Sequence, residues 1–194
     1  RVRYVSVVPE KNNLIESFCD EHHLVCEKYD PALDDRITFE YTAPGHDRIA
    51  AAAGAASVYG FNDCIIVDAG TAVKIDLVIN RVFRGGVIFP GPTLSTKSLA
   101  ADTAQLPDIR PEVTAPPGKD TASCMRAGVS YGIFFAITGF ISYYREKFGA
   151  LPCVVTGGFG EQFYNFCDGS VVSLVFDPAL IARSLFSYCP RKRS

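Results

Sequence analysis

The chain has 194 residues, 48% apolar and 21% charged, an ordinary soluble globular balance with room for one large domain or two small ones. A net charge of −2 gives no electrostatic reason to bind nucleic acid or an anionic membrane, and the basic Arg191-Lys192-Arg193 reads as a solvated tail. Seven scattered cysteines without a C-x-x-C pair, and histidines only at His22, His23 and His46, exclude a disulfide framework and a zinc site and fit reduced thiols in a cytoplasm.

Residues 1–9 lack an initiator methionine and read as a strand already under way. The chain is therefore expected to begin inside a longer protein; no signal peptide is visible. Leu14, Ile15 and Phe18 give residues 12–23 helical spacing, and short strands are expected at 24–27 and 37–41. Pro44-Gly45-His46-Asp47 then punctuates the chain. An alanine-rich helix is expected over 48–59, with Asp47 as its cap and Gly60 past its end. Residues 64–67, 73–79 and 82–83 read as an antiparallel meander. Gly85-Gly86 and Pro90-Gly91 read as flexible junctions, after which Pro92 opens a helix to about 105.

Residues 107–119 form a proline-rich loop, and Asp120 or Thr121 caps a long helix closed by Gly149. Its uncharged stretch, 127–144, is long enough to span a membrane. Ser130, Tyr131, Thr138, Ser142, Tyr143 and Tyr144 within it favour a buried core or interface helix. A strand over 152–155, an extended segment over 171–175 and a helix over 179–188 complete the chain. Strands and helices alternate, so the class is α/β.

Three segments have chemistry to offer. In Asp68-Ala69-Gly70-Thr71 a buried strand delivers a carboxylate, then a glycine turn whose N–H groups can face an anion, then a hydroxyl for a phosphate oxygen. Carboxylate oxygen suits a hard cation, so Asp68 is the candidate to hold one beside those phosphates. The alternative is a plain hairpin turn. Thr156-Gly157-Gly158 repeats the logic at another strand end, where paired glycines let a flat ligand or phosphate lie against backbone; a common loop reads the same way. Gly45-His46-Asp47-Arg48 sets a carboxylate and a guanidinium at a helix start, which favours anions. Arg48 suits a two-point contact with a carboxylate or phosphate, and Asp47 suits proton abstraction from a hydroxyl, unless the pair serves only to cap the helix.

In order along the chain, D-x-G-T-A-x-x-x-D at 68–76, G-G-x-I-x-P-G at 85–91, G-K-x-T at 118–121 and T-G-G at 156–158 resemble the type III pantothenate kinase family. That family belongs to the acetate and sugar kinase, Hsp70 and actin superfamily, and the likeness runs over essentially the whole chain. It implies an actin-like, ribonuclease H-like α/β fold of duplicated domains with the first incomplete: 1–60 the remainder of the N-terminal domain, 61–194 the C-terminal one. It implies ATP-dependent phosphorylation of pantothenate to 4'-phosphopantothenate, the first step of coenzyme A biosynthesis. The enzyme would be a cytoplasmic homodimer using Mg2+ and a monovalent cation, K+ or NH4+.

By the same resemblance, Asp47 is the proton acceptor, and Tyr41, Gly45, His46, Asp47, Arg48 and Thr121 contact pantothenate. Gly70, Thr71, Gly157 and Gly158 contact ATP, and Asp68 binds the monovalent cation. His46 stands where the family has a smaller or apolar residue, and the loop from Tyr41 to Gly45 is shorter than usual. The family's first phosphate loop, D-x-G-N-[ST], has no counterpart in these residues. The chain alone is therefore expected to bind ATP poorly, and the rival is a degenerate relative without kinase activity. Two further functional readings stand beside the kinase: a non-catalytic Bvg accessory factor-like regulator, and a related kinase with another small-molecule acceptor.

Overall fold

The structure, a computed structural model, describes residues 1–6, 9–40, 42–169, 171 and 173–191. Its elements are β1 (Val2–Tyr4), α1 (Pro9–Glu21), β2 (Cys26–Lys28), a 3-10 turn (Pro31–Leu33), β3 (Thr38–Phe39), α2 (His46–Tyr59) and β4 (Cys64–Ala69). There follow β5 (Ala72–Ile79), β6 (Val82–Pro90), α3 (Pro92–Ala101), α4 (Thr121–Phe148), β7 (Cys153–Thr156), α5 (Gly160–Cys167), β8 (Leu174–Phe176) and α6 (Leu180–Ser187). The fold is mixed α/β. β1 and β2 pair in parallel as a two-stranded sheet. The other six strands lie in the order β3-β6-β5-β4-β7-β8, with β3 parallel to β6 and β4, β7 and β8 mutually parallel.

The chain forms two compact units. Unit 1 is assembled from Arg1–Cys64, Val78–Gly85 and Ala179–Ser194, and unit 2 from Ile65–Leu77 and Gly86–Pro178.

In unit 1, α2 is buried along its whole middle, Ile49 to Ala56, so its alanines serve close packing rather than an exposed helical face. Gly60 ends it in the left-handed conformation, φ 71°. Arg3 donates to the last carbonyls of α6, Leu185 at 3.1 Å and Phe186 at 2.9 Å, the favourable place for a cation at a helix end. A polar knot ties the 3-10 turn to α6. The buried Asp34 accepts from Arg36 at 2.6 and 2.8 Å and from the Tyr29 hydroxyl at 2.8 Å, while Arg36 donates to the Ser184 carbonyl at 2.9 Å.

Burial opposes ionisation of Asp34, but hydrogen bonds from the Arg36 side chain and backbone and from Tyr29 outweigh it and hold the carboxyl below its ordinary range. A lowered folded-state pKa stabilises the fold above the unfolded value and is lost as pH falls through the folded one. Asp34→Asn is accordingly expected to cost about 1.5–3 kcal/mol near neutrality. Urea midpoints of parent and variant should converge below about pH 4; a constant difference down to pH 3 would rule out the ion pair as its source.

β4 is flanked by β5 and β7, and its apolar run Cys64–Val67 is buried throughout before the strand reaches Asp68. α4 starts in a capping box. Ser123 N–H donates to the Asp120 carboxylate at 2.8 Å, and Asp120 N–H donates to the Ser123 hydroxyl at 3.0 Å. It buries Ala127, Ser130, Phe134, Ile137, Ile141 and Tyr144 at helical spacing and stops at Gly149. Among the described residues it is the helix with the length and apolar character to cross a membrane.

The structure departs from the sequence reading in several places. α1 already starts at Pro9, the end of the segment read as strand. β6 runs through Gly85-Gly86, which are strand rather than junction, because β5 continues alongside; a Cβ on Gly86 would lie 2.1 Å from the Ile75 carbonyl oxygen. α3 ends at Ala101 with Asp102 as C-cap. α5 and the 3-10 turn were not foreseen. Gly45, not Asp47, is the N-cap of α2.

Candidate functional site

The hairpin between β4 and β5 reverses tightly. Gly70 N–H donates to the Ala72 carbonyl at 3.1 Å, leaving Thr71 exposed at the tip. Parallel pairing sets Asp68 opposite Thr156, which brings the exit of β7 beside this turn. Backbone bonds then stitch the loops together: Phe159 N–H donates to the Ala69 carbonyl at 2.8 Å, and Gly91 N–H to that of Thr71 at 2.9 Å. Two of these approaches admit only glycine. Gly157 has φ 90°, and a Cβ there would sit 2.6 Å from both the Ala69 carbonyl and Asp68 Oδ1; one on Gly91 would sit 2.0 Å from the Gly70 carbonyl.

These loops wall a cavity of about 740 Å³ lined by Gly70, Thr71, Thr93, Glu112, Gly158 and Gln162, among others. The volume is in the range that takes a small-molecule ligand or cofactor. α3 and α5 both begin at its rim, and their first N–H groups carry the positive ends of the helix dipoles. Phe159, on the same wall, is held by stacking: its ring lies 5.4 Å from Phe134, which lies 4.6 Å from Phe166.

The structure therefore gathers Gly70, Thr71 and Gly158 on one cavity, with Gly157 and Asp68 directly behind. Asp68 is paired: Lys74 Nζ lies 2.6 Å from its Oδ2, with side-chain exposures of 19% and 17%. Among the described residues, no three His, Cys, Asp or Glu side chains cluster to hold a metal ion. The Asp68 carboxylate is therefore already paired through Oδ2 with an ammonium, which makes it a poor seat for an exchangeable cation as the side chains stand.

The other candidates lie elsewhere. Gly45, His46, Asp47 and Arg48 make up the N-cap and first turn of α2 in unit 1. Gly45 offers no side-chain cap bond, and Asp47 is the acidic residue of the first turn; its Oδ1 folds back to 2.7 Å from where a Cβ on Gly45 would be. Arg48, only 9% exposed, lays its guanidinium over Phe83 with Cζ 5.1 Å from the ring centroid. Thr121 is the first residue of α4 in unit 2, fixed by the Asp120–Ser123 box. Tyr41 lies outside the described residues.

Sequence reasoning passed over Lys74, Gln162 and Glu112. For Lys74 the signal was an opposite charge across a tight hairpin from Asp68. For Gln162 it was the i, i+4 spacing of Phe159 and Phe163 around it, which marks α5. Glu112 sits in an irregular loop and had no signal.

Comparison with known proteins bears on this site. A family model described as type III pantothenate kinase matches residues 1–143. A type III pantothenate kinase of Kosmotoga olearia is 31% identical over 194 residues, covering 97% of this chain and 73% of the relative. Those of a Jannaschia species and Brevibacillus brevis are 36% and 35% identical, with 81% and 82% of this chain covered. The chain spans 64% and 65% of the length of those two relatives. A crystal structure from Campylobacter jejuni, described as a conserved Baf family transcriptional activator, superposes with TM-score 0.62 at 26% identity, covering 96% of this chain and 80% of that one.

Proposed function

The chain belongs to the type III pantothenate kinase family, and on that premise we propose that the protein transfers the γ-phosphoryl group of ATP to pantothenate, giving 4'-phosphopantothenate at the first step of coenzyme A synthesis. The observation that carries this reading is the cavity in which Gly70, Thr71 and Gly158 converge with the starts of α3 and α5. Backbone N–H groups, a hydroxyl and two helix ends are what a polyphosphate asks for. We also read the fold as actin-like, with one ribonuclease H-like domain of a duplicated pair carried by β4 to α6. The order β6-β5-β4-β7-β8, with β5 reversed by its short hairpins, supports that reading.

In the proposed reaction a pantothenate hydroxyl oxygen attacks the γ-phosphorus in line, the bond to the β–γ bridging oxygen breaks, and ADP leaves. Asp47 accepts the hydroxyl proton. Gly45, His46, Arg48 and Thr121 bind pantothenate, with Tyr41 as a further contact. Gly70, Thr71, Gly157 and Gly158 bind ATP. Magnesium carried on the nucleotide supplies neutralisation of phosphate charge when bound. We place the protein in the cytoplasm, where its seven free thiols would stay reduced.

Incubating the full-length protein with γ-labelled ATP and pantothenate tests the reading. Label recovered in phosphopantothenate supports it. No transfer to any acceptor favours a non-catalytic regulator, and transfer only to another alcohol or to a carboxylate favours a different kinase.

We further propose a homodimer formed through α4. Phe135 and Tyr143 are 58% and 48% exposed on it, and Gly128, Gly132 and Gly139 have open space where a side chain would be, so a second helix could approach closely. Sedimentation at high micromolar concentration should return a dimer for the parent and a monomer for Phe135→Glu; a monomeric parent defeats the proposal.

A further inference from the structure

Among the described residues, Lys74 is the cation that touches the carboxylate behind the phosphate loops, at 2.6 Å. We propose that its ammonium is the built-in cation of this site, taking the place on Asp68 of an exchangeable K+ or NH4+, so that phosphoryl transfer here needs no added monovalent cation. The proposal rests on the kinase reading above, and its test separates the two.

The geometry is specific about which oxygen does what. Asp68 Oδ2 accepts from Lys74, while Oδ1 faces the backbone of Gly157 and Gly70, whose added Cβ atoms would lie 2.6 and 3.8 Å from it. One side of the carboxylate is therefore filled by an ammonium and the other is walled by main chain. A primary ammonium has the charge of K+ and the hydrogen-bonding character of NH4+ on a tether. Lys74 stands on β5, and the reversal at Thr71 returns it to Asp68. A group held this way competes as an intramolecular partner, with an effective concentration well above that of a free ion binding one partly solvated carboxylate. Both side chains are less than one-fifth exposed, so salt screens the pair weakly. The same hairpin holds Thr71 at the cavity, so the positive charge of Lys74 is fixed next to the loop proposed to hold phosphate.

The test compares the full-length protein in potassium chloride and in tetramethylammonium chloride at equal ionic strength, because tetramethylammonium cannot donate a hydrogen bond and is too large for the site. The parent should keep kcat/KM for ATP within about twofold between the two salts. Lys74→Met should lose about tenfold or more in tetramethylammonium and recover most of it with K+ or NH4+. Melting temperature supplies a second readout: K+ should raise that of Lys74→Met and leave that of the parent unchanged. Lys74→Gln, which keeps the stem and polarity, serves if the methionine variant does not fold.

A parent that loses tenfold activity without K+, or that K+ stabilises, overturns the proposal. So does a Lys74 variant that is active and indifferent to the salt, since the ion pair is then only a strand-to-strand contact. If no salt supports phosphate transfer in the parent, the kinase reading fails, while the melting comparison still decides whether Lys74 stands in for a bound cation.

Discussion

Asp47→Asn in the full-length protein is expected to lower kcat by about 10²–10⁴-fold, the usual contribution of a positioned general base, with the melting temperature moved by no more than a few degrees. The structure narrows this expectation by giving the N-cap role to another residue. Were Asp47 the N-cap of α2, its replacement would be read through helix stability. Gly45 holds that position, so the substitution leaves the cap itself in place, and the first-turn negative charge it removes is worth about 0.3–1 kcal/mol. The shape of the side chain is kept, including its fold back over Gly45. KM for pantothenate should stay within a few-fold if Arg48 and Thr121 carry binding. Calorimetry and steady-state kinetics on one preparation decide the matter: a normal melting temperature with near-parental kcat would mean that Asp47 is not the base.

Gly157→Ala is expected to cripple nucleotide binding and stability together. An alanine at φ 90° carries about 1–3 kcal/mol of backbone strain. Its methyl group would also lie 2.6 Å from the Ala69 carbonyl and from Asp68 Oδ1, an overpacking worth about another 1–3 kcal/mol. For a chain of this size that is a fall of roughly 5–20 °C in melting temperature. Whatever relaxes to admit the methyl moves either Asp68 or the turn that presents Gly70 and Thr71, so ATP titration should show binding weakened at least tenfold. Gly169→Ala is the matched control: its φ is also positive, 75°, with nothing within 4 Å of an added Cβ. It should show strain without loss of ATP. Equal behaviour of the two variants would mean that the contact at Gly157 is unimportant.

What could be read from the residues divides along physical lines. The exits of β4 and β7 were legible because a buried apolar run ending in Asp-x-Gly-Thr or Thr-Gly-Gly leaves the backbone few choices. α4 was legible because Asp120 and Gly149 mark both ends of a long periodic segment. The segment over Gly85-Gly86 was misread because glycine normally weakens a strand, and only the neighbouring Ile75 carbonyl shows why none but glycine fits at 86. α5 was missed because eight residues carry too little periodicity to stand out, although Phe163 and Cys167 bury one face of it. Asp47 was assigned to the cap on residue preference, which ranks aspartate above glycine; here the helix begins at His46, two residues earlier than that reading placed it. Lys74 was in plain view but had no meaning until the hairpin turned it onto Asp68.

Unit 1 is a composite of three stretches that are far apart along the chain, and unit 2 fills the intervals between them. The order of assembly follows from this connectivity. The stretch Val78–Gly85 reaches unit 1 as the bend of the β5–β6 hairpin, and Ala179 onward reaches it only after the excursion from Gly86 to Pro178. Closing an excursion of that length costs less once its interior is compact, since the entropy of a loop grows with the number of free residues in it. Unit 2 is thus the natural early partner in folding and unit 1 the late one, dominated by contacts between distant parts of the sequence. A weakness in the β5–β6 hairpin would then be felt first as slow or incomplete formation of the unit that holds Asp47, before any change in the loops around Thr71.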